Sequence, residues 1–237
     1  MNSLLVCATP LEAELLVRGF HGGFKKERVG TGVLFRPEAN GKPPVLVTGV
    51  GKTNSALVLA RYFLEQGLPD EVVNTGIAGA YPGSGIIISH VAVATEEIYA
   101  DEGVQTADSF LTMEDIGFPM LITDDAHYYY RFPVPHGKKV QELLVKKTKL
   151  SVYDGRFLTV STCAATRELE TERTARFQPI CESMEGAAVA HTCAAFGVKF
   201  TEIRGISNFV GSYEKEGWQI ETAMEFAAGC TYAYLEG

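Results

Sequence analysis

Short, nearly unbroken apolar runs alternate with helix-period segments along the whole chain, and this alternation limits the architecture more than any single motif does. Val45-Leu46-Val47 is apolar at every position. A strand with one face in water would alternate, whereas a continuous run belongs to a sheet covered by helices on both faces. Segments 3–8, 45–48, 71–74, 86–95, 157–161 and 200–207 carry the β signal. Segments 10–18, 53–66, 140–147, 185–196 and 219–235 carry the helical one. Residues 32–44 alone have linker character and are short enough for a hairpin connection. The pattern predicts one α/β domain over residues 1–237.

Composition narrows what such a domain can serve. With 46% hydrophobic and 21% charged residues, the chain can build a sizeable core. A net charge of −8 lacks the electrostatic footprint of a nucleic-acid binder or of a protein drawn to anionic membranes. No apolar run approaches the roughly 18–20 residues that span a bilayer. Met1 to Ala8 has no basic region and runs into Thr9-Pro10-Leu11-Glu12, so it reads as a strand rather than a signal peptide. The cysteines number 5, with no Cys-x-x-Cys pair. That count argues against a disulfide framework or a zinc site and suits a soluble protein of the reducing cytoplasm. The histidines have no metal-ligand spacing, and His191 reads as a packed or solvated side chain.

Several strand ends carry polar residues, which points to a shared crevice. Thr9-Pro10-Leu11-Glu12 is a capping box, so Glu12 has a structural task; it also stands at the carboxyl end of the first strand, where open α/β sheets bind ligands. Thr75-Gly76-Ile77-Ala78-Gly79 follows another strand with side chains small enough for close approach to the backbone, or is an ordinary glycine turn. Glu182-Ser183-Met184-Glu185-Gly186 puts two acids in an apolar passage; Glu185 suits either a helix start or the paired hydroxyls of a ribose. Arg204-Gly205-Ile206-Ser207-Asn208 closes a third strand with a polar pair. Gly49-Val50-Gly51-Lys52-Thr53 imitates a phosphate-binding loop, but Leu46 stands where its first glycine belongs, so the segment reads as a tight turn. Residues 99–137 are the least regular part, aromatic and proline-containing, as in a site lining, an interface or a packed excursion.

In this order the segments resemble the nucleoside phosphorylase and nucleosidase superfamily over nearly the whole chain. Within it Thr9–Glu12, Asp101-Glu102-Gly103, Glu182–Gly186 and Ser207-Asn208-Phe209-Val210-Gly211 are most similar to the futalosine hydrolases, relatives of the methylthioadenosine/S-adenosylhomocysteine nucleosidases. The resemblance implies a three-layer α/β/α fold around a mixed central sheet. It also implies cofactor-free cleavage of a purine N-glycosidic bond: futalosine to hypoxanthine and dehypoxanthine futalosine, in menaquinone biosynthesis. By the same likeness Glu12 activates water, Met184 and Glu185 hold the ribose beside Ser183, Arg204 lies near the nucleophile, and Ile77, Ala78 and Gly79 face the substrate. Asn208 stands where adenine-specific relatives carry aspartate, and an amide suits a 6-oxopurine because it can donate to O6 and accept from N7–H. Ile77 replaces a small hydroxyl residue that phosphorylases turn towards phosphate, which favours water. Residues 161–166 align poorly with the family's base-stacking region, so no stacking residue is assigned. The family forms homo-oligomers, which implies a homodimer with residues 99–137 as interface and lid. The rival readings are a methylthioadenosine-type nucleosidase, a purine nucleoside phosphorylase, and a catalytically silent nucleoside binder.

Overall fold

A computed structural model describes residues 2–20, 22–39 and 41–237. The first third runs β1 (Ser3–Cys7), α1 (Pro10–Arg18), the hairpin β2 (Phe24–Val29) and β3 (Gly32–Pro37), β4 (Val45–Val47) and α2 (Lys52–Gln66). Then come β5 (Glu71–Ala80), β6 (Val91–Tyr99), and two small ribbons, β7 (Gly103–Gln105) with β8 (Phe110–Thr112) and β9 (Leu121–Ile122) with β10 (His127–Tyr128). The edge strand β11 (Arg131–Pro133) and α3 (Gly137–Lys147) follow. The last third carries β12 (Val152–Thr159), α4 (Arg167–Phe177), β13 (Cys181–Ser183), α5 (Gly186–Phe196), β14 (Lys199–Phe209) and α6 (Ile220–Leu235).

The main sheet is mixed and ten-stranded, in the order β11-β6-β12-β13-β5-β1-β4-β3-β2. Strand β14 pairs in parallel with β5 and antiparallel with β6, so β6, β12, β13, β5 and β14 close into a ring at one end of the sheet. Helices α1, α3 and α6 pack together on one face, and α2 and α5 on the other. Two buried apolar clusters result, one around Leu16, Val73, Leu144 and Ile203, the other around Leu59, Ile98, Phe157 and Val189. The three-layer arrangement with a mixed sheet is thus present, with the added closure by β14.

Element boundaries differ from the sequence reading where the apolar signal fails or misleads: the strand read over residues 86–95 is β6, Val91–Tyr99, and the apolar residues 86–88 lie outside any strand. Residues 75–80 are not a loop: β5 continues to Ala80 because β14 pairs along its whole length. Of residues 32–44, the first six form β3, paired to the unpredicted β2; β2 is largely exposed and carries Lys25, Lys26, Glu27 and Arg28, so no burial pattern marks it. Helix α4 was also illegible. Its sequence, Arg167 to Phe177, has no apolar stripe, and its inner face is held by Arg173 paired to buried Glu182 at 3.0 Å.

Candidate active site

Three segments, β1, α1 and β14, converge on Gly76 in the middle of β5. In the sheet register Gly76 lies beside Arg204 of β14, while β1 ends and delivers Thr9 and α1 just beyond its pairing with Asn74. A Cβ on residue 76 would stand 2.6 Å from Glu12 Oε1 and 2.6 Å from Arg204 Nη1. Only glycine therefore lets the acid and the guanidinium meet over this strand.

Glu12 is buried and firmly held. Its Oε2 accepts hydrogen bonds from the Ala8 and Thr9 backbone N–H groups at 3.0 and 2.8 Å and from the Thr9 hydroxyl at 3.0 Å. Among the described residues its Oε1 accepts only from Ile77 N–H, at 3.3 Å. The Thr9 side chain in turn accepts from Glu12 N–H, so the capping box is present in full. The carboxylate thus serves the helix with one oxygen and keeps lone-pair capacity on the other.

Glu185 sits at the N-cap of α5 but caps nothing with its side chain. Instead Oε1 accepts from Gly51 N–H at 3.0 Å, and Oε2 lies 3.7 Å from Arg204 Nη2. The glycine turn before α2 therefore binds a carboxylate rather than a phosphate, and Lys52 is spent on Asp101 and Glu102 at 2.6 and 2.7 Å. Burial pushes the Glu185 carboxyl up from the ordinary glutamate range, against the opposing pull of Arg204 and the Gly51 N–H. Burial would lower the pKa of Arg204, but the carboxylates of Glu202, Glu185 and Glu12 more than reverse it, so the guanidinium stays charged.

These groups line one cavity of about 410 Å³. Glu12, Ile77, Ala78, Gly79, Ser183, Met184, Glu185, Arg204 and Asn208 all border it. The Ser183 hydroxyl and Arg204 Nη2 are buried without a hydrogen-bond partner among the described residues, polar atoms ready for a ligand. Asn208 follows a β-bulge at Ser207; its Oδ1 accepts from the Ser207 hydroxyl at 2.8 Å and its Nδ2 donates to Phe209 O at 3.0 Å. One amide N–H and one lone pair remain. Val50, Met184, Val210, Trp218 and Ile220 supply apolar lining, as do Cys163, Ala164 and Ala165. The backbone of that last segment is fixed by Glu182, whose Oε1 accepts from Ala164 N–H at 2.7 Å. Gly51, Gly76 and Glu182 escaped the sequence reading as site residues; a glycine flanking each polar strand end was the visible hint for the first two. His191 is half-buried and stacks on Phe132 at 4.8 Å, away from the cavity.

The family model described as the phosphorylase superfamily matches residues 3–236. The chain belongs to that superfamily. Among superfamily relatives, a futalosine hydrolase from Thermus thermophilus is 33% identical over 227 residues, covering 95% of this chain and 91% of that protein. A 5′-methylthioadenosine/S-adenosylhomocysteine nucleosidase from Actinobacillus succinogenes is 31% identical over 207 residues, covering 86% and 84%. The solved structure of a Helicobacter pylori futalosine hydrolase superposes with a TM-score of 0.84 at 17% identity, covering 100% of this chain and 97% of that one. The structural likeness establishes the superfamily fold.

Proposed function

We propose that the protein hydrolyses the N-glycosidic bond of futalosine, releasing hypoxanthine and dehypoxanthine futalosine, a step of menaquinone biosynthesis. The observation that carries this reading is the meeting of Glu12, Arg204 and Glu185 at one cavity in a chain whose relatives include futalosine hydrolases. The C1′–N9 bond breaks early, and its electron pair leaves with the base. Water adds to the oxocarbenium-like C1′ while Glu12 Oε1 takes its proton, a general-base contribution of roughly 10²–10⁴-fold. Glu185 accepts from the 2′ and 3′ hydroxyls and stabilises the developing positive charge on the sugar. Asn208 donates its free N–H to O6 of the departing hypoxanthine; N7, bare in the nucleoside, takes a proton from solvent as N9 leaves and can then donate to the amide oxygen, and Glu12 returns its proton to solvent. Ile77 offers phosphate no hydroxyl, which supports water as the nucleophile.

Incubation with futalosine followed by chromatography tests this: hypoxanthine accumulates, and its absence at micromolar enzyme overturns the assignment. The Actinobacillus relative favours a second reading, a methylthioadenosine-type nucleosidase. Turnover of a panel of 6-oxo and 6-amino nucleosides, with and without phosphate, separates the two readings and the phosphorylase. We further read the chain as one domain acting as a cytoplasmic homodimer. Val104, Phe118 and Ile122 of the irregular stretch are exposed, as are Leu11, Val50 and Tyr213 near the cavity, and all 5 cysteines are free thiols. Among the described residues no helix is long and apolar enough to cross a membrane.

A further inference from the structure

Beneath the cavity lies a pair of acids that the reaction above does not use. Glu97 of β6 and Glu202 of β14 are both fully buried. Glu202 Oε1 accepts from Arg204 Nε at 2.7 Å and from Asn74 Nδ2 at 3.1 Å. Glu97 Oε2 accepts from the Thr159 hydroxyl at 2.7 Å. The remaining oxygens, Glu97 Oε1 and Glu202 Oε2, receive no donor from any other described residue. The two carboxyl groups face each other under Gly186: a Cβ there would lie 2.6 Å from Glu202 Oε2 and nearer still to Glu97 Oε1.

Two bare carboxylates cannot sit together in a water-free interior, and one shared proton removes both the repulsion and the unmet acceptors. The proton belongs to Glu97, because Glu202 has the guanidinium for a partner and Glu97 has only a hydroxyl. Burial first, and then the charge of Glu202, push the Glu97 carboxyl well above the ordinary glutamate range. The contacts continue to the first turn of α5, where Ala187 N–H donates to Thr159 Oγ1 at 2.6 Å. Glu185 is therefore approached from two sides, through Arg204 and through the helix start that carries it.

We propose that Glu97 is a positioning residue: a neutral carboxylic acid that donates its proton to Glu202, it fixes the carboxylate that aims Arg204 at Glu185. The inference rests on the reading of Glu185 as the ribose-binding group. Glu97→Gln keeps the shape and a donor, since the amide can donate to Glu202 and accept from Thr159. Glu97→Met keeps approximate bulk and removes the donor.

The tests are kcat and KM for futalosine, melting temperature, and the infrared carbonyl band of a buried protonated acid. Wild-type protein shows such a band, shifted in heavy water and lost in Glu97→Gln. Glu97→Met loses at least about tenfold in kcat/KM, from the unmet acceptor on Glu202, and Glu97→Gln recovers to within about threefold of wild type. A residue that merely fills space predicts instead that rate follows melting temperature in both variants. A folded Glu97→Met with wild-type activity, or a Glu97→Gln as weak as Glu97→Met, overturns the proposal. If Glu97→Met does not fold, the missing band or a tenfold loss in Glu97→Gln overturns it equally. Failure of the wild type to release hypoxanthine sinks the futalosine reading alone, whereas absence of the band sinks the shared proton whatever the substrate.

Discussion

Glu12 carries two tasks on two oxygens, and that division makes the residue testable. Its Oε2 takes three donors from residues 8 and 9, while Oε1 faces Gly76 and Arg204. In Glu12→Gln the amide oxygen can keep the capping contacts, at a stability cost of under about 1 kcal/mol. The amide nitrogen then stands where Oε1 was and cannot accept a proton, so kcat should fall by about 10²–10⁴-fold with the melting temperature nearly unchanged. Equal kcat in the two proteins would leave Glu12 as a cap. Asn208 tests base choice. In Asn208→Asp the ionised carboxylate repels O6 and loses the amide donor, at about 1–3 kcal/mol. The ratio of kcat/KM for futalosine to that for 6-amino-6-deoxyfutalosine should therefore move towards the amino substrate. A ratio that stays put removes Asn208 from base recognition.

At the scale of elements, the site depends on how closely β5 lets its neighbours approach. The glycines among its residues from Thr75 to Ala80 allow a turn reading, yet the backbone there pairs with β14 along one edge, and Gly76 leaves room for Glu12 with Arg204 above. Gly76→Ala keeps strand geometry, since this glycine is not in the left-handed region. The added methyl must displace either the carboxylate or the guanidinium. We expect a loss of about 10²-fold or more in kcat/KM, the scale on which misplaced catalytic groups cost rate. A near-normal rate would show that the contact at Gly76 is dispensable.

At the scale of the molecule, two properties follow from the layers. Exposed Val104, Phe118 and Ile122 near the ribbons are apolar surface that a second copy can cover. Light scattering should report a dimer, with specific activity falling on dilution below its dissociation constant; a fully active monomer would refute this. Global stability should carry the mark of Glu97. Its folded pKa is raised, so its contribution is fully present below the unfolded value near 4.3 and is lost as pH rises through the folded value. Glu97→Gln has no such group. Its melting temperature minus that of the wild type should therefore climb from about pH 5 to 8, because Glu185 and the other acids are common to both proteins. A flat difference would contradict a raised Glu97.

Local chemistry in the sequence sufficed for α1 with its capping box, for the inner strands with continuous apolar runs, and for the ordered polar strand ends that line the cavity. These depend on neighbours within a few residues, or on burial that leaves a repeating pattern. Tertiary structure alone decided the rest. Strand β2 is held by β3 across a hairpin and helix α4 by the ion pair of Arg173 with buried Glu182, and both expose charged faces, so no apolar periodicity announces them. The ring closed by β14, the meeting of Glu12 with Arg204 over Gly76, and the pairing of Glu97 with Glu202 join residues more than 60 positions apart. Such contacts are set by sheet register and packing, which no local pattern encodes.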